Sequence, residues 1–246
     1  MPPDSSVPEP TAQRGQQDRL HDLLRDATGL LLGATIAVTD EDWRAPSRLP
    51  GWSRGHLATH LARQADALRR LTDWALTGTR QEMYPYPAQR EEEIEAGAGR
   101  TGLELQVDLD TSAGQLDQAF EAVREADAWD RLVELRGGLQ VPARLLPLAR
   151  LLEVTLHHVD LNLGYELSDV DDATADWLLE WSAFRLRERD EFPRLDLVSP
   201  TSRLSVGSAG PTRTVRGRSA DLLGWLSGRT DGSNLDGADG LKLPVF

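Results

Sequence analysis

The chain has 246 residues, with 40 acidic against 27 basic residues for a formal net charge of −13, and it contains no cysteine. That charge repels phosphate backbones and anionic lipid headgroups, so neither nucleic acid nor membrane is an expected partner, although a small pocket that gathers a few arginines remains compatible with it. Absence of cysteine removes disulfides, thiolate metal ligands and cysteine nucleophiles together, so any thiol chemistry must use a thiol that arrives as a cofactor.

Residues 1 to 14 are rich in Pro, Ser and Gln and carry too little apolar surface to offset the entropy of ordering, which predicts a disordered tail. This segment lacks the basic start and apolar core of a signal peptide, and no apolar run reaches the roughly 18 residues of a spanning helix, so a cytoplasmic protein is expected. Leu20, Leu23, Leu24, Leu30 and Leu31 recur at helical spacing and predict a first helix over about 16 to 38. The stretch DWRAPSRLPGWS then breaks the chain at Pro46, Pro50 and Gly51, and Ser53 stands where an N-cap would start a second helix ending near Gly78. RQEMYPYPAQREEEIEAGAG reads as a loop leading into a short acidic helix. A third long helix is predicted over about 105 to 126. A fourth follows Gly137 and Gly138 over about 143 to 163, with Pro142 and Pro147 tolerated near its first turn.

Four long helices suggest a bundle. A further helix is predicted over about 171 to 189, after which RLDLVSP, RLSVGS and RTVRGR alternate in period two between Gly, Pro and Ser, as strands do. A last helix, SADLLGWLSGR, precedes a Gly- and Asp-rich tail. The predicted fold is α+β: a helical bundle over residues 15 to 168 and a small C-terminal α/β domain over 169 to 246, with the boundary near 165 to 172.

Four of the five histidines stand in two pairs, His56 with His60 and His157 with His158. On the second helix Leu57, Leu61, Leu68 and Ala75 define the buried stripe, and at about 100° per residue His60 lies roughly 60° from its centre and His56 roughly 100°. On the fourth helix Glu153, His157 and Asp160 fall on one flank of the stripe made by Leu148, Leu152, Leu156, Val159 and Leu163, with His158 on the other. Glu153 and His157, four apart, can therefore reach a common point, and His60 from the facing helix would complete a three-ligand site that leaves a position open, the arrangement of a catalytic metal. Zn2+ suits oxygen and imidazole ligands best, though iron, nickel and cobalt also bind them. Asp160 could accept a proton from the second nitrogen of His157 and fix its tautomer. The bland alternative is an ordinary surface pair at i and i+4. His56 reads as solvated or cap-proximal, His158 as packed or exposed, and His21 carries no signal.

The segment LPGWSRGHLATHLARQADALRRLTDWALTGTRQEMYPYPAQREEEIEAG resembles the N-terminal signature of the mycothiol-dependent maleylpyruvate isomerases, a branch of the DinB-like metal-binding four-helix bundle superfamily. RLLEVTLHHVDLNLGY is similar to the family's Glu-x-x-x-His stretch, and LLGWLSGRTDG to its final helix and Gly-Arg turn. The resemblance implies a DinB-like bundle and metal ligation by His60, Glu153 and His157. It also implies activity through Arg229, whose structural alternative is a cation capping a helix end. Arg80, Tyr84 and Tyr86 match the loop after the second helix and could line the cleft. The strand region matches least.

The reaction so implied is the cis to trans conversion of maleylpyruvate to fumarylpyruvate in gentisate breakdown, with mycothiol as thiol cofactor, a divalent metal, and a small anionic substrate. A mycothiol S-transferase or biosynthetic thiol-transfer enzyme on the same scaffold is the alternative enzyme, and a non-catalytic metal-binding module the alternative outside enzymes. Either a monomer or a small homo-oligomer is compatible with the sequence.

Overall fold

The computed structural model describes residues 14 to 187 and 189 to 244; the tail expected over residues 1 to 14 lies outside them except for Arg14. Arg14 already opens the first helix, α1 (Arg14–Thr35). A five-residue helix α2 (Asp40–Arg44) follows, capped by the Thr39 side chain on the Asp42 amide, where the sequence predicted only turn. Next come α3 (Arg54–Thr77), α4 (Gln89–Gly97) and α5 (Gly102–Glu125). A hairpin of β1 (Leu132–Glu134) and β2 (Gln140–Pro142) precedes a single 3-10 turn, and α6 (Leu146–Asp160) closes the bundle. The chain then gives α7 (Asp172–Leu186), β3 (Pro193–Val198), β4 (Arg203–Val206), β5 (Ala209–Arg216) and α8 (Ser219–Leu226).

The chain divides into two compact units, with the break between Tyr165 and Glu166. In the first, α3 packs most extensively on α5, and α6 packs on α1 and α3. Leu57, Leu61, Leu68 and Leu71 from α3, Leu105, Leu109 and Phe120 from α5, and Leu148 and Leu151 from α6 are all buried. Each such side chain removed from water contributes on the order of 1.5–3 kcal/mol, so this interior, and not helix propensity, holds α3 and α6 at fixed distance.

The local signals act at the helix ends. Ser53 caps α3 in a reciprocal box with His56, and Gly78 ends it in the left-handed conformation at φ 73°. Thr101 and Glu104 form the same box at the start of α5, which begins at Gly102 instead of near 105 for that reason. α6 ends at Asp160, short of the expected 163, because Asn162 turns to φ 55°.

In the second unit β3 is central, antiparallel to β4 and parallel to β5, so the order is β4-β3-β5. Leu195, Leu197, Val206 and Val215 from the sheet meet Leu179 and Leu186 of α7 and Leu222, Trp225 and Leu226 of α8 in one core. This is the expected small α/β domain.

Candidate metal centre

The turn before α3 builds one wall of the site. Gly51 takes φ 81°, which lets Trp52 turn its indole inward, edge-on to His60 at 5.6 Å between ring centroids. Arg54 reaches the end of α6, where its Nε donates to the Leu161 carbonyl at 2.6 Å and its Nη2 to the Asn162 carbonyl at 3.2 Å. The Arg48 amide adds a bond to the Asp160 carbonyl at 2.8 Å. Carbonyls at a helix C-terminus have no partners within the helix, so a cationic fork there both satisfies them and fixes α6 against the start of α3.

On those two helices, His60, Glu153 and His157 each offer a ligand atom, and the three atoms lie within 4.8 Å of one another. Glu153 Oε2 is 2.9 Å from His60 Nε2 and 3.3 Å from His157 Nε2. Ligands about 2.0–2.2 Å from a tetrahedral Zn2+ would stand roughly 3.3 Å apart, and the two Glu153–histidine separations match that to within a few tenths of an ångström. All three face one another from the bundle interior: His60 is 4% exposed. Among the described residues no other cluster of this kind occurs.

The two imidazoles are held differently. His157 Nδ1 lies 2.8 Å from Oδ2 of Asp160, a carboxylate with no exposed surface. That acceptor keeps a proton on Nδ1 and turns the Nε2 lone pair toward the common point, the orientation a metal ligand needs. His60 Nδ1 instead faces a donor, Arg90 Nη2 on α4, at 3.3 Å. Arg90 lies over the Trp52 ring at 5.6 Å and also bonds Glu91 Oε1 through Nη1 at 3.1 Å.

Burial pushes His60 down to about 4, leaving it neutral. Burial works the same way on His157, but the Asp160 and Glu153 carboxylates outweigh it and hold that ring above the usual histidine value. Burial alone would raise Glu153, yet hydrogen bonds with His157 and His60 keep it well below the ordinary carboxylate range. The metal-free centre is thus an anionic oxygen between a neutral His60 and a His157 that favours its proton, and a cation seated there would take that proton's place beside the carboxylate.

Two arginines escaped the sequence reading, Arg150, which is buried, and Arg90, which is half-buried. Arg150, one turn before Glu153, donates to the Leu61 carbonyl at 2.7 Å and to Gln64 Oε1 at 2.6 Å. Burial lowers it to about 10, still a cation at neutral pH. The Arg90 contact arises across helices and leaves no periodic trace, whereas Arg150 was visible as a lone cation inside an apolar run. Among the remaining histidines, His56 serves the α3 cap, His158 stacks on Tyr165 at 4.0 Å, and His21 packs against Phe120 and Trp129.

Arg80, Tyr84 and Tyr86 line a cleft with Trp74 and the β1–β2 turn, a cleft that none of the three donor residues lines. Arg80 pairs with Glu134 at 3.1 Å, and the Tyr86 hydroxyl donates to Glu92 at 2.8 Å. Tyr84 is pushed up to about 12, chiefly by burial. Arg229 belongs to the C-terminal unit, just past α8. Its amide donates to the Gly224 carbonyl at 2.8 Å and its Nη1 to the Ser227 carbonyl at 2.7 Å, which is the helix-capping geometry.

The profile of the family described as "Mycothiol maleylpyruvate isomerase N-terminal domain" matches residues 9–162. Among solved structures, the chain is similar to the crystal structure of the mycothiol-dependent maleylpyruvate isomerase, with 26% identity and a TM-score of 0.81 over 94% of this chain and 97% of that one. A mutant of that enzyme with one histidine replaced by alanine matches equally. YfiT from Bacillus subtilis, described as a probable metal-dependent hydrolase with an unusual four-helix bundle topology, shares the fold at 18% identity and a TM-score of 0.51 over 64% of this chain and 91% of that one. No curated protein sequence matches the chain. The family profile spans well over half the chain, across both helices that carry the three donors, and the chain therefore belongs to the mycothiol maleylpyruvate isomerase N-terminal domain family.

Proposed function

We propose that the protein is a mycothiol- and metal-dependent isomerase that converts maleylpyruvate to fumarylpyruvate in gentisate breakdown, with His60, Glu153 and His157 as metal ligands. The observation that carries this reading is the convergence of those three donor atoms within 4.8 Å, with Asp160 locking the tautomer of His157. Three protein ligands leave room for one more, and the chain has no sulfur nucleophile of its own. His60, Glu153 and His157 would hold a divalent ion, Zn2+ by the chemistry of the donors, whose positive charge would favour the thiolate form of an incoming thiol at neutral pH.

When bound, the thiol would supply a nucleophile for reversible addition to the conjugated double bond, which would permit rotation about the resulting single bond with no net oxidation or proton gain. The chain's own residues bind and orient. Asp160 holds the proton on His157 Nδ1, and Arg150 keeps positive charge beside Glu153. We assign Arg229 to a substrate carboxylate or the enolate on the likeness of the Gly228–Arg229 turn to the family's Gly-Arg turn, since fixed positive charge counts most where negative charge develops. Low-molecular-weight thiols act inside the cell, which places the reaction in the cytoplasm. No helix among the described residues is long and apolar enough to cross a membrane.

The test is to load the purified chain with Zn2+ or Co2+ and follow fumarylpyruvate formation with and without mycothiol. Turnover that requires both metal and mycothiol, is lost in His60→Ala, and drops at least about a hundredfold in Arg229→Ala with metal retained is the expected result. Conjugation of mycothiol to a generic electrophile with no isomerisation would replace this reading by a mycothiol S-transferase on the same scaffold. Thiol-independent behaviour in every assay would leave only a metal-binding module.

A further inference from the structure

The cleft beside the metal centre has a composition of its own. Trp74 at the end of α3, Tyr84 and Tyr86 in the following loop, and Arg80, Glu134 and Arg136 around the hairpin tip line a cavity of about 230 Å3. Trp74 is half-buried, and Tyr86 is 49% exposed although its hydroxyl is tied down by Glu92, so its ring face is both available and fixed. The charges cancel locally. Arg80 lies 3.1 Å from Glu134 and 3.9 Å from Glu82, and Arg136 lies 3.4 Å from Glu91. Aromatic faces with a rim of paired, multidentate polar groups suit a neutral polyhydroxy ligand, because ring faces take the C–H side of a sugar while guanidinium and carboxylate forks take adjacent hydroxyls. An anion would gain little from arginines already matched.

The cleft also connects to the centre through a short run of contacts. His60 Nδ1 is 3.3 Å from Arg90 Nη2, Arg90 Nη1 is 3.1 Å from Glu91 Oε1, and the same Glu91 oxygen is 3.4 Å from Arg136 Nη2 on the cleft wall. Mycothiol carries its sulfur on an acetylated cysteine joined by an amide to a glucosamine–inositol unit. Beyond the sulfur it is an uncharged polyol.

We propose that this cleft, built from Trp74, Tyr86, Arg80, Glu134 and Arg136, is the binding site for the sugar–polyol portion of the thiol cofactor. The inference rests on the thiol-dependent reading above and adds to it the residues that select this thiol over simpler ones. It predicts that affinity for the whole cofactor depends on residues that touch neither the metal nor the reacting carbons.

The Co2+-loaded full-length chain is titrated with mycothiol and, separately, with N-acetylcysteine, which has the sulfur and no sugar, while the d–d absorption band and tryptophan emission are followed. Wild type should respond to mycothiol at concentrations at least about tenfold lower than to N-acetylcysteine, the scale of one or two aromatic contacts. Trp74→Ala and Tyr86→Ala should each erase about tenfold of that preference and leave the N-acetylcysteine titration and the thiol-free Co2+ spectrum unchanged. Tyr86 is exposed enough that its variant folds, so a fold defect in Trp74→Ala would not decide the matter. Equal response of wild type to both thiols, or an unaltered preference in Tyr86→Ala and a folded Trp74→Ala, overturns the cleft assignment and leaves the thiol-dependent function standing. A Co2+ spectrum that neither thiol perturbs overturns both.

Discussion

Asp160 is a carboxylate with no exposed surface, and such a group is costly unless its charge is used. Here it orients His157, and Asp160→Ala should weaken metal binding by about 10- to 100-fold by competition with a chelating dye, while Asp160→Asn, which keeps an acceptor without the charge, should fall between. Arg90 stands in the opposite relation to His60. A metal on His60 Nε2 requires the neutral ring to carry its proton on Nδ1, yet Arg90 offers a second donor to that atom. The guanidinium must let go when the centre fills, so Arg90→Gln, with a carbonyl that can accept, should bind metal more tightly by up to about tenfold in the same competition. The pH dependence follows from His60. Its folded value, about 4, lies below 6.5, so as pH falls through this interval the unfolded chain takes up a proton that the folded chain refuses. Stability of the metal-free protein should therefore decline from pH 6.5 toward 4 with a limiting slope of about 1.4 kcal/mol per pH unit for this residue, and His60→Gln should flatten the decline in urea melts. His157, raised above 6.5, is already protonated across that interval and adds no slope; its contribution is lost only as pH climbs through its own value. Glu153 and His157 were readable because four residues bring two side chains to one flank of a helix, and His60 because it sits near the apolar stripe of the next. Arg90 and Trp52 were not, since each meets the centre from another helix or from a turn, and neither was the Arg54 clamp, whose partners are carbonyls 107 and 108 residues away.

At the scale of elements, the caps were the most legible features. Ser53 and Gly78 bound α3 as their chemistry requires, whereas Thr101 and Glu104 also spell a capping box and set the start of α5 earlier than the apolar periodicity suggested. The hairpin β1–β2 was read only as a glycine break, because strands of three residues give no periodic signal. The short helix α2 was hidden among turn formers for the same reason of length. The pairing of β3 with β5 in parallel is a tertiary choice that alternation within a strand cannot encode. Where helices approach closely, single atoms decide. A Cβ at Gly55 would run into the carbonyl oxygen of Ala98 beyond α4, and one at Gly97 would meet Thr59 of α3. Gly55→Ala should accordingly cost about 1–3 kcal/mol in denaturant melts despite the better helix propensity of alanine. Because Gly55 stands one turn from Thr59 and His60, the same substitution should also weaken metal binding.

Across the whole molecule, the two units have separate interiors, one of helices and one of α7, α8 and a three-stranded sheet. Fold class was legible because the change from period 3.6 to period two occurs along the chain near Pro193, whereas the break after Tyr165 precedes another helix and carries no such change. The donors on α3 and α6 stand 93 residues apart in sequence, with α4, α5 and the hairpin between them. An ion seated on His60, Glu153 and His157 would thus act on the polypeptide as a removable crosslink closing a long loop, stabilising the bundle by mass action and leaving the C-terminal unit untouched. Chelation should then convert one calorimetric transition into two, with only the earlier one rising again on readdition of Zn2+, so that metal supply sets the lifetime of the bundle in the cell as well as its chemistry.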